Sequence, residues 1–132
     1  MNVMQIAVAR AINATGQVLL VRKKGTVAFM QPGGKIERGE EAMTALIREL
    51  DEELGLCVAA SDLTFLGQAS AAAANEPGVI VEAAIYGLLV STPVIVGAEL
   101  EEAVWIDPAD PGALVLAPLT RDCVLPLAVS EQ

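Results

Sequence analysis

Apolar residues dominate Gln5 to Ile12 and Gln17 to Val21, and Asn13-Ala14-Thr15-Gly16 between them is a turn, so the chain opens as a strand hairpin. The period then changes. Between Glu40 and Leu54, at about 100° per residue, Met43, Leu46, Ile47, Leu50 and Leu54 share one stripe, which predicts a helix packed on a core. Leu63 to Gln68, Val79 to Val90 and Ala103 to Ile106 return to strand patterns, with loops at Ala71 to Pro77 and Pro93 to Glu102. A Pro-containing connection, Asp107 to Pro118, leads to a short closing helix over Leu119 to Leu125. No repeat or linker divides the sequence, so residues 1–132 read as one domain, an α/β fold of the α/β/α sandwich type with a mixed central sheet.

The predicted helix carries more than a core stripe. Glu49, Glu52 and Glu53 fall together on an adjoining flank, beside Ala42 and Ala45. Carboxylates three and four residues apart on a helix are neighbours, and ionising all of them is unfavourable unless a cation sits among them. The cluster therefore suits a hard divalent metal, although acidic residues at this spacing also occur as a plain solvated face. Upstream, Pro32-Gly33-Gly34 allows backbone conformations closed to other residues and can turn carbonyls toward a ligand. Downstream, Gly55 suits the left-handed position after a helix end.

Gly34, Glu40, Arg48, Glu49, Leu50, Glu52, Glu53, Gly55 and Leu56 stand in one spacing: Gly, five residues, Glu, seven residues, then Arg-Glu-aliphatic-any-Glu-Glu-any-Gly-aliphatic. At every position this resembles the signature of the Nudix (MutT-like) hydrolases. The resemblance implies hydrolysis of a nucleoside diphosphate linked to some group X, with Mg²⁺ or Mn²⁺ as cofactor. It makes Glu49, Glu52 and Glu53 the metal ligands, helped by the carbonyl of Gly33 or Gly34, and gives Glu40 and Arg48 the role of holding the loop to the helix. Arg48 has surface alternatives in Thr44, Asp51 and Glu52.

Charge and composition narrow the partners. Eight basic against seventeen acidic residues give −9, the wrong sign for an extended nucleic-acid track. A small polyphosphate then needs metal to mediate its approach to the acids. Arg22, Lys23, Lys24 and Lys35 are the cations near the expected site, each either a phosphate partner or a solvated side chain. The longest apolar stretch, Val79 to Val90, is interrupted by Glu82 and too short for a bilayer. With no signal-peptide pattern, the expectation is a cytoplasmic protein. Cys57 and Cys123 read as buried structural thiols, and so hydrophobic a composition suggests a homodimer.

The chain has no histidine, and no Ser or Cys stands beside a plausible base, so direct attack of water on phosphorus is the expected chemistry. Catalysis is assigned to Glu52, Glu53, Glu99 and Arg48. The resemblance implies a proton acceptor from a loop before a late strand, where Glu99, Glu101 and Glu102 stand, which makes Glu99 the first choice, with Glu53 and Glu82 as alternatives. Substrate contacts are expected from Arg22, Phe29, Lys35 and Asp122. Phe29 is either a base-stacking ring or a core residue, and Thr120, Arg121 and Asp122 either read a base edge or cap the last helix. Family markers for ADP-ribose and dinucleoside polyphosphates are missing from Ala71 to Ala74, which favours a nucleoside triphosphate, ordinary or modified, cleaved to monophosphate and pyrophosphate. An ADP-ribose or other nucleotide-sugar pyrophosphatase and a binding module without turnover are the alternatives. An isoprenoid diphosphate isomerase is disfavoured, because that chemistry calls for histidine ligands.

Overall fold

The computed structural model describes residues 2–97 and 99–130, excepting the side chains of 128–130. Strands β1 (Asn2–Ile12) and β2 (Val18–Lys23) form the expected hairpin. The Asn13 side-chain oxygen closes it by accepting the N–H groups of Thr15 and Gln17 at 3.1 and 3.0 Å. Then come β3 (Gly33–Lys35), α1 (Ala42–Leu54), β4 (Thr64–Ala72), β5 (Val79–Leu89) and β6 (Leu100–Ile106). A π-helical turn, Thr120–Val124, runs into α2 (Leu125–Ser130).

The sheet has the order β4-β5-β1-β2-β6, with β3 also paired to β1. β1 and β5 run parallel from Asn2 opposite Val79 to Ile12 opposite Leu89, and the other pairs are antiparallel, so the sheet is mixed. Alternation along β1 assigns its two faces. Ala7, Ala9 and Ala11 meet Leu46, Leu50 and Leu54 of α1, the small side chains letting the helix sit close. Each of those leucines is fully buried, which stabilises the fold by about 1.5–3 kcal/mol per side chain. On the opposite face, Val8, Val81 and Ile85 pack under Leu119 and Val124, while Val18, Leu20 and Phe29 pack under Leu125.

Several expected boundaries shift. β1 begins three residues before Gln5, and β6 begins at Leu100, so Glu101 and Glu102 belong to a strand rather than a loop. β4 runs on through Ala71 and Ala72, where pairing with Val81 and Ile80 of β5 overrides the weak strand preference of alanine. The Gly33–Lys35 strand had no sequence signal, being three residues long and two of them glycine. The closing helix continues past Leu125 through Pro126. Pro126 is tolerated because it enters α2 in the first turn, just after the widened turn in which Leu125 N–H reaches back to the Thr120 carbonyl. Cys57 is an exposed thiol, contrary to expectation, because the extended segment after α1 alternates and buries Leu56 instead; Cys123 is half-buried.

Candidate active site

Both ends of α1 are fixed. At the C-terminal end Gly55 takes φ 65°, and its N–H and that of Leu56 close on the carbonyls of Asp51 and Leu50 at 2.9 and 3.2 Å. The chain after β5 returns across this end: Ile95 N–H donates to the Leu54 carbonyl at 2.9 Å and Gly97 N–H to the Glu53 carbonyl at 2.7 Å. The approach is close enough that a side chain at position 97 would lie 2.3 Å from the Glu52 carbonyl oxygen. This strap brings Glu99 to Glu53, where the two negative charges oppose one another. Its other anchor is β2, since Lys24 N–H donates to the Glu99 carbonyl at 3.1 Å.

At the N-terminal end Arg48 organises the acids. Its Nε and Nη2 donate to the two oxygens of Glu40 at 3.1 and 3.0 Å, a two-pronged bridge of the strong, planar kind. The expected bridge to Glu40 is therefore present, and Glu52 lies 3.7 Å away on the other side of the same guanidinium. Glu40 in turn accepts Glu37 N–H at 3.0 Å, which ties the loop before the helix. Nη1 of Arg48 donates to Glu49 at 3.0 Å. The Arg48 hydrogen bond holds Glu40 below the usual carboxylate range and raises the guanidinium above its own.

Glu53 behaves differently from its neighbours. It lies against the buried stripe, is 5% exposed, and burial pushes its carboxyl up to about 7 against the opposing hydrogen bond from Gly33 N–H at 3.0 Å. Burial also raises Glu49, with Arg48 acting against it. Lys23 at the end of β2 lowers both, so its ammonium faces this pair.

The β3 register separates the two glycines. Ala7 pairs with Gly34 between hydrogen-bonded neighbours, Ala9 N–H to the Pro32 carbonyl and Ile36 N–H to the Gln5 carbonyl. By antiparallel alternation the backbone of Gly34 is spent on β1, while that of Gly33 faces α1. Gly33 has φ 142°, and a Cβ there would lie 2.2 Å from the Ala7 carbonyl oxygen. A Cβ at Gly34 would lie 2.6 Å from the Glu49 carboxyl carbon. Backbone and carboxylate thus meet at a distance only glycine allows.

Among the described residues no three acidic groups stand close enough to enclose an ion, because Glu49 and Glu52 lean on Arg48, the cation now among them. The donor set nevertheless fits a hard divalent ion, being three carboxylates and a backbone carbonyl, all oxygen, with burial pushing Glu49 and Glu53 toward protonation where no cation sits among them.

On the far side of β3 lies a cavity of about 140 Å³. Met4, Ile6, Val8, Val81 and Leu119 give it apolar walls, and Lys23, Lys35, Gly33 and Gly34 line it as well. Lys35, expected to contact substrate, thus stands on the lining of this cavity. Three other expected contacts are not on its lining. Phe29 is 7% exposed in the core with Val18, Leu20 and Leu125, held there by Val115 and Ala117 on both sides of its backbone. Arg22 lies over that ring at 5.8 Å and is engaged by Glu102 and the Thr26 carbonyl, both at 2.7 Å. Asp122 points to solvent and pairs with Arg121 at 2.8 Å, because the wide turn sends Thr120 inward and its two successors out. Glu82 is bonded to the Gln5 side chain on the exposed part of the α1 face. Sequence reasoning passed over Gln31, a buried amide on the cavity wall. Its only signal is a polar residue directly before Pro32-Gly33-Gly34.

The fold is an α/β/α sandwich with a mixed central sheet. The chain belongs to the NUDIX domain family, whose model matches residues 1–126. It is similar to an RNA pyrophosphohydrolase of Psychrobacter cryohalolentis, 50% identical over 44 residues, which is 33% of this chain and 25% of that one. It is also similar to an 8-oxo-dGTP diphosphatase of Haemophilus influenzae, 35% identical over 66 residues, or 47% of this chain and 48% of that one. The matched stretches thus span a quarter to a half of these relatives. In fold it resembles the MutT protein of Methanosarcina mazei, with TM-score 0.79, 20% identity and coverage of 98% of this chain and 95% of that one. No helix of the described residues is long and apolar enough to cross a membrane.

Proposed function

We propose that this protein hydrolyses a phosphoanhydride bond in a nucleoside diphosphate linked to X, using Mg²⁺ or Mn²⁺, with a nucleoside triphosphate as substrate and nucleoside monophosphate and pyrophosphate as products. The observation that carries this reading is the meeting of two unlike half-sites at Gly33–Lys35: carboxylates on α1 to one side, a largely apolar cavity edged by Lys23 and Lys35 to the other. The names of the relatives, a pyrophosphohydrolase and a diphosphatase, point to the same bond.

Glu49, Glu52, Glu53 and the Gly33 carbonyl would hold the ion. When bound, a divalent cation neutralises phosphate charge and makes water a better nucleophile. Lys23 and Lys35, both on the cavity wall, draw the polyphosphate toward the acidic flank. Arg48 keeps Glu49 and Glu52 on that flank and ties it to the loop through Glu40. The water that attacks phosphorus must lose a proton, and Glu53 and Glu99, which the strap brings together, are the carboxylates at hand to accept it. The same reading carries a cytoplasmic location and a homodimer, the latter checked by light scattering.

The test is a nucleotide panel assayed with Mg²⁺ in ¹⁸O-water. Expected are monophosphate and pyrophosphate, with the label on one of them naming the attacked phosphorus. Tight binding of every nucleotide without turnover would leave only a binding module and sink the proposal.

A further inference from the structure

The strap that carries Glu99 is held by main chain. Ile95 N–H reaches the Leu54 carbonyl at 2.9 Å, Gly97 N–H reaches that of Glu53 at 2.7 Å, and the Glu99 carbonyl accepts Lys24 N–H at 3.1 Å. The strap's large side chains contribute little, since Ile95 is 73% and Val96 41% exposed. Where Glu99 stands therefore depends on how closely the backbone at 97 lies on the last turn of α1, the turn that carries Glu52 and Glu53. Glycine at 97 answers to that approach and not to backbone conformation, because its φ is not positive. A Cβ there would stand 2.3 Å from the Glu52 carbonyl oxygen, 3.1 Å from that of Glu53 and 3.3 Å from Glu53 Cα. All three are atoms of the helix backbone and cannot swing aside, so the strap would have to lift by about 1 Å to restore ordinary contact.

Resting on the hydrolysis proposed above, with Glu99 among the carboxylates that receive the proton, we infer that Gly97 is a positioning residue for Glu99: the missing side chain at 97 sets how deeply the strap seats on α1, and Lys24 N–H holds its far end to β2. A reacting group displaced by 1 Å loses up to about 10²-fold in rate, so turnover depends on position 97 through a carboxylate two residues away. Substrate binding does not, because Lys23 and Lys35 line the cavity on elements the strap leaves in place.

The experiment is a double-mutant cycle on the full chain, assayed with the common ribo- and deoxyribonucleoside triphosphates and Mg²⁺. Gly97→Ala should lower kcat by about 10- to 100-fold, with nucleotide KM and the Mg²⁺ concentration for half-activation unchanged. Glu99→Gln should lower kcat by about 100-fold or more. Gly97→Ala combined with Glu99→Gln should be no slower than Glu99→Gln, because both act through one carboxylate; a merely structural glycine would slow the two backgrounds equally. Lys24→Pro reaches the same carboxylate from the other anchor. The turn from Lys23 to Thr26 has Gly25 at φ 77° and accepts proline at Lys24, so what is lost is the N–H that holds Glu99. Measured against Lys24→Ala, which lacks the same side chain but keeps the N–H, Lys24→Pro should lose about 10-fold in kcat and nothing further when Glu99 is already glutamine. Should Gly97→Ala fail to fold, this second cycle decides. Wild-type kcat in Gly97→Ala, full activity of Glu99→Gln, losses that multiply in the combined variants, or a raised Mg²⁺ requirement, which would transfer the effect to Glu52 and Glu53, each overturn the inference and leave the hydrolase reading standing. No turnover of any triphosphate by the wild type removes both.

Discussion

The two helical layers on the sheet differ in how they handle polar groups. On the α1 side, charge is concentrated: Arg48 is shared by Glu40, Glu49 and Glu52, and Glu53 is buried with a backbone N–H as its hydrogen-bond partner. On the α2 side, Met4, Ile6, Val8, Val81 and Leu119 give the cavity apolar walls edged by Lys23, Lys35 and Glu76, and the buried polar pair there is neutral, Thr120 to Gln31. The α1 layer is suited to gather cations and phosphate oxygens, which need strong fields and tolerate water. The other layer offers mostly apolar contact, which suits a flat ring better than a charged group. β3 serves both: Gly33 presents its N–H to Glu53 on one side while lining the cavity on the other.

Removing a charge from the α1 layer is the most direct way to break this division. Glu52 is the exposed member of the trio, so Glu52→Gln leaves the core untouched. It should lower kcat by about 10³-fold, the scale for one preorganised electrostatic contact in a catalytic site, with an unchanged urea midpoint. Steady-state assays on the nucleotide panel check this. Retention of nearly full activity would remove Glu52 from the metal site.

Substituting the shared glycine should injure both layers at once. In Gly33→Ala the new methyl meets the Ala7 carbonyl oxygen at 2.2 Å in a backbone conformation with φ 142°. β3 must then part from β1, and the expected cost is about 3 kcal/mol in urea unfolding, together with loss of turnover on every base. A stable Gly33→Ala protein with normal turnover would mean that β3 is not the element that holds the two layers in register.

The acidic layer also predicts a pH signature. Glu53 titrates at about 7 in the fold against an ordinary value of 4.5. A carboxyl raised in this way binds its proton more tightly folded than unfolded, so its contribution is complete below pH 4.5 and disappears as pH climbs through about 7. Without divalent ions, stability should fall by about 3 kcal/mol across that window. Glu53→Gln should flatten the slope, and Mg²⁺ should restore stability at the alkaline end. Chemical denaturation at pH 5 and pH 8, with and without chelator, reads it. An equal slope in wild type and variant would assign the pH dependence to other groups.

The acidic layer was legible because its information is local. Helix periodicity sets where Glu49, Glu52 and Glu53 lie, and the glycines on either side are dictated by backbone approach and a left-handed turn, all within a segment of 23 residues. Which glycine turns its backbone toward α1 was not legible, since that depends on β3 pairing with β1, and a three-residue Gly-Gly-Lys strand has no hydrophobic alternation. The cavity was invisible for a related reason. Its wall is assembled from β1, β3, β5, residues 72–76 and Leu119 just ahead of the π-helical turn, and Gln31 meets Thr120 only because the sheet and the closing helix bring them together. Glu53 reads as one of three equal carboxylates in sequence and becomes singular only when the 91–97 strap and β3 cover it.

The smallest test concerns where the apolar layer ends. Phe29 lies beside the cavity in sequence, two residues before Gln31, yet its ring belongs to the neighbouring cluster with Leu20 and Leu125 and carries Arg22 over its face. Phe29→Leu should therefore lower stability by about 1 kcal/mol, as a modest loss of core volume does, and leave KM and base preference unchanged. A ring that stacked on the base would instead lose about 1–3 kcal/mol of binding on substitution, so KM would rise by tenfold or more while stability held. Measuring both quantities on one variant separates the two, because a side chain under β2 can alter the first without touching the second.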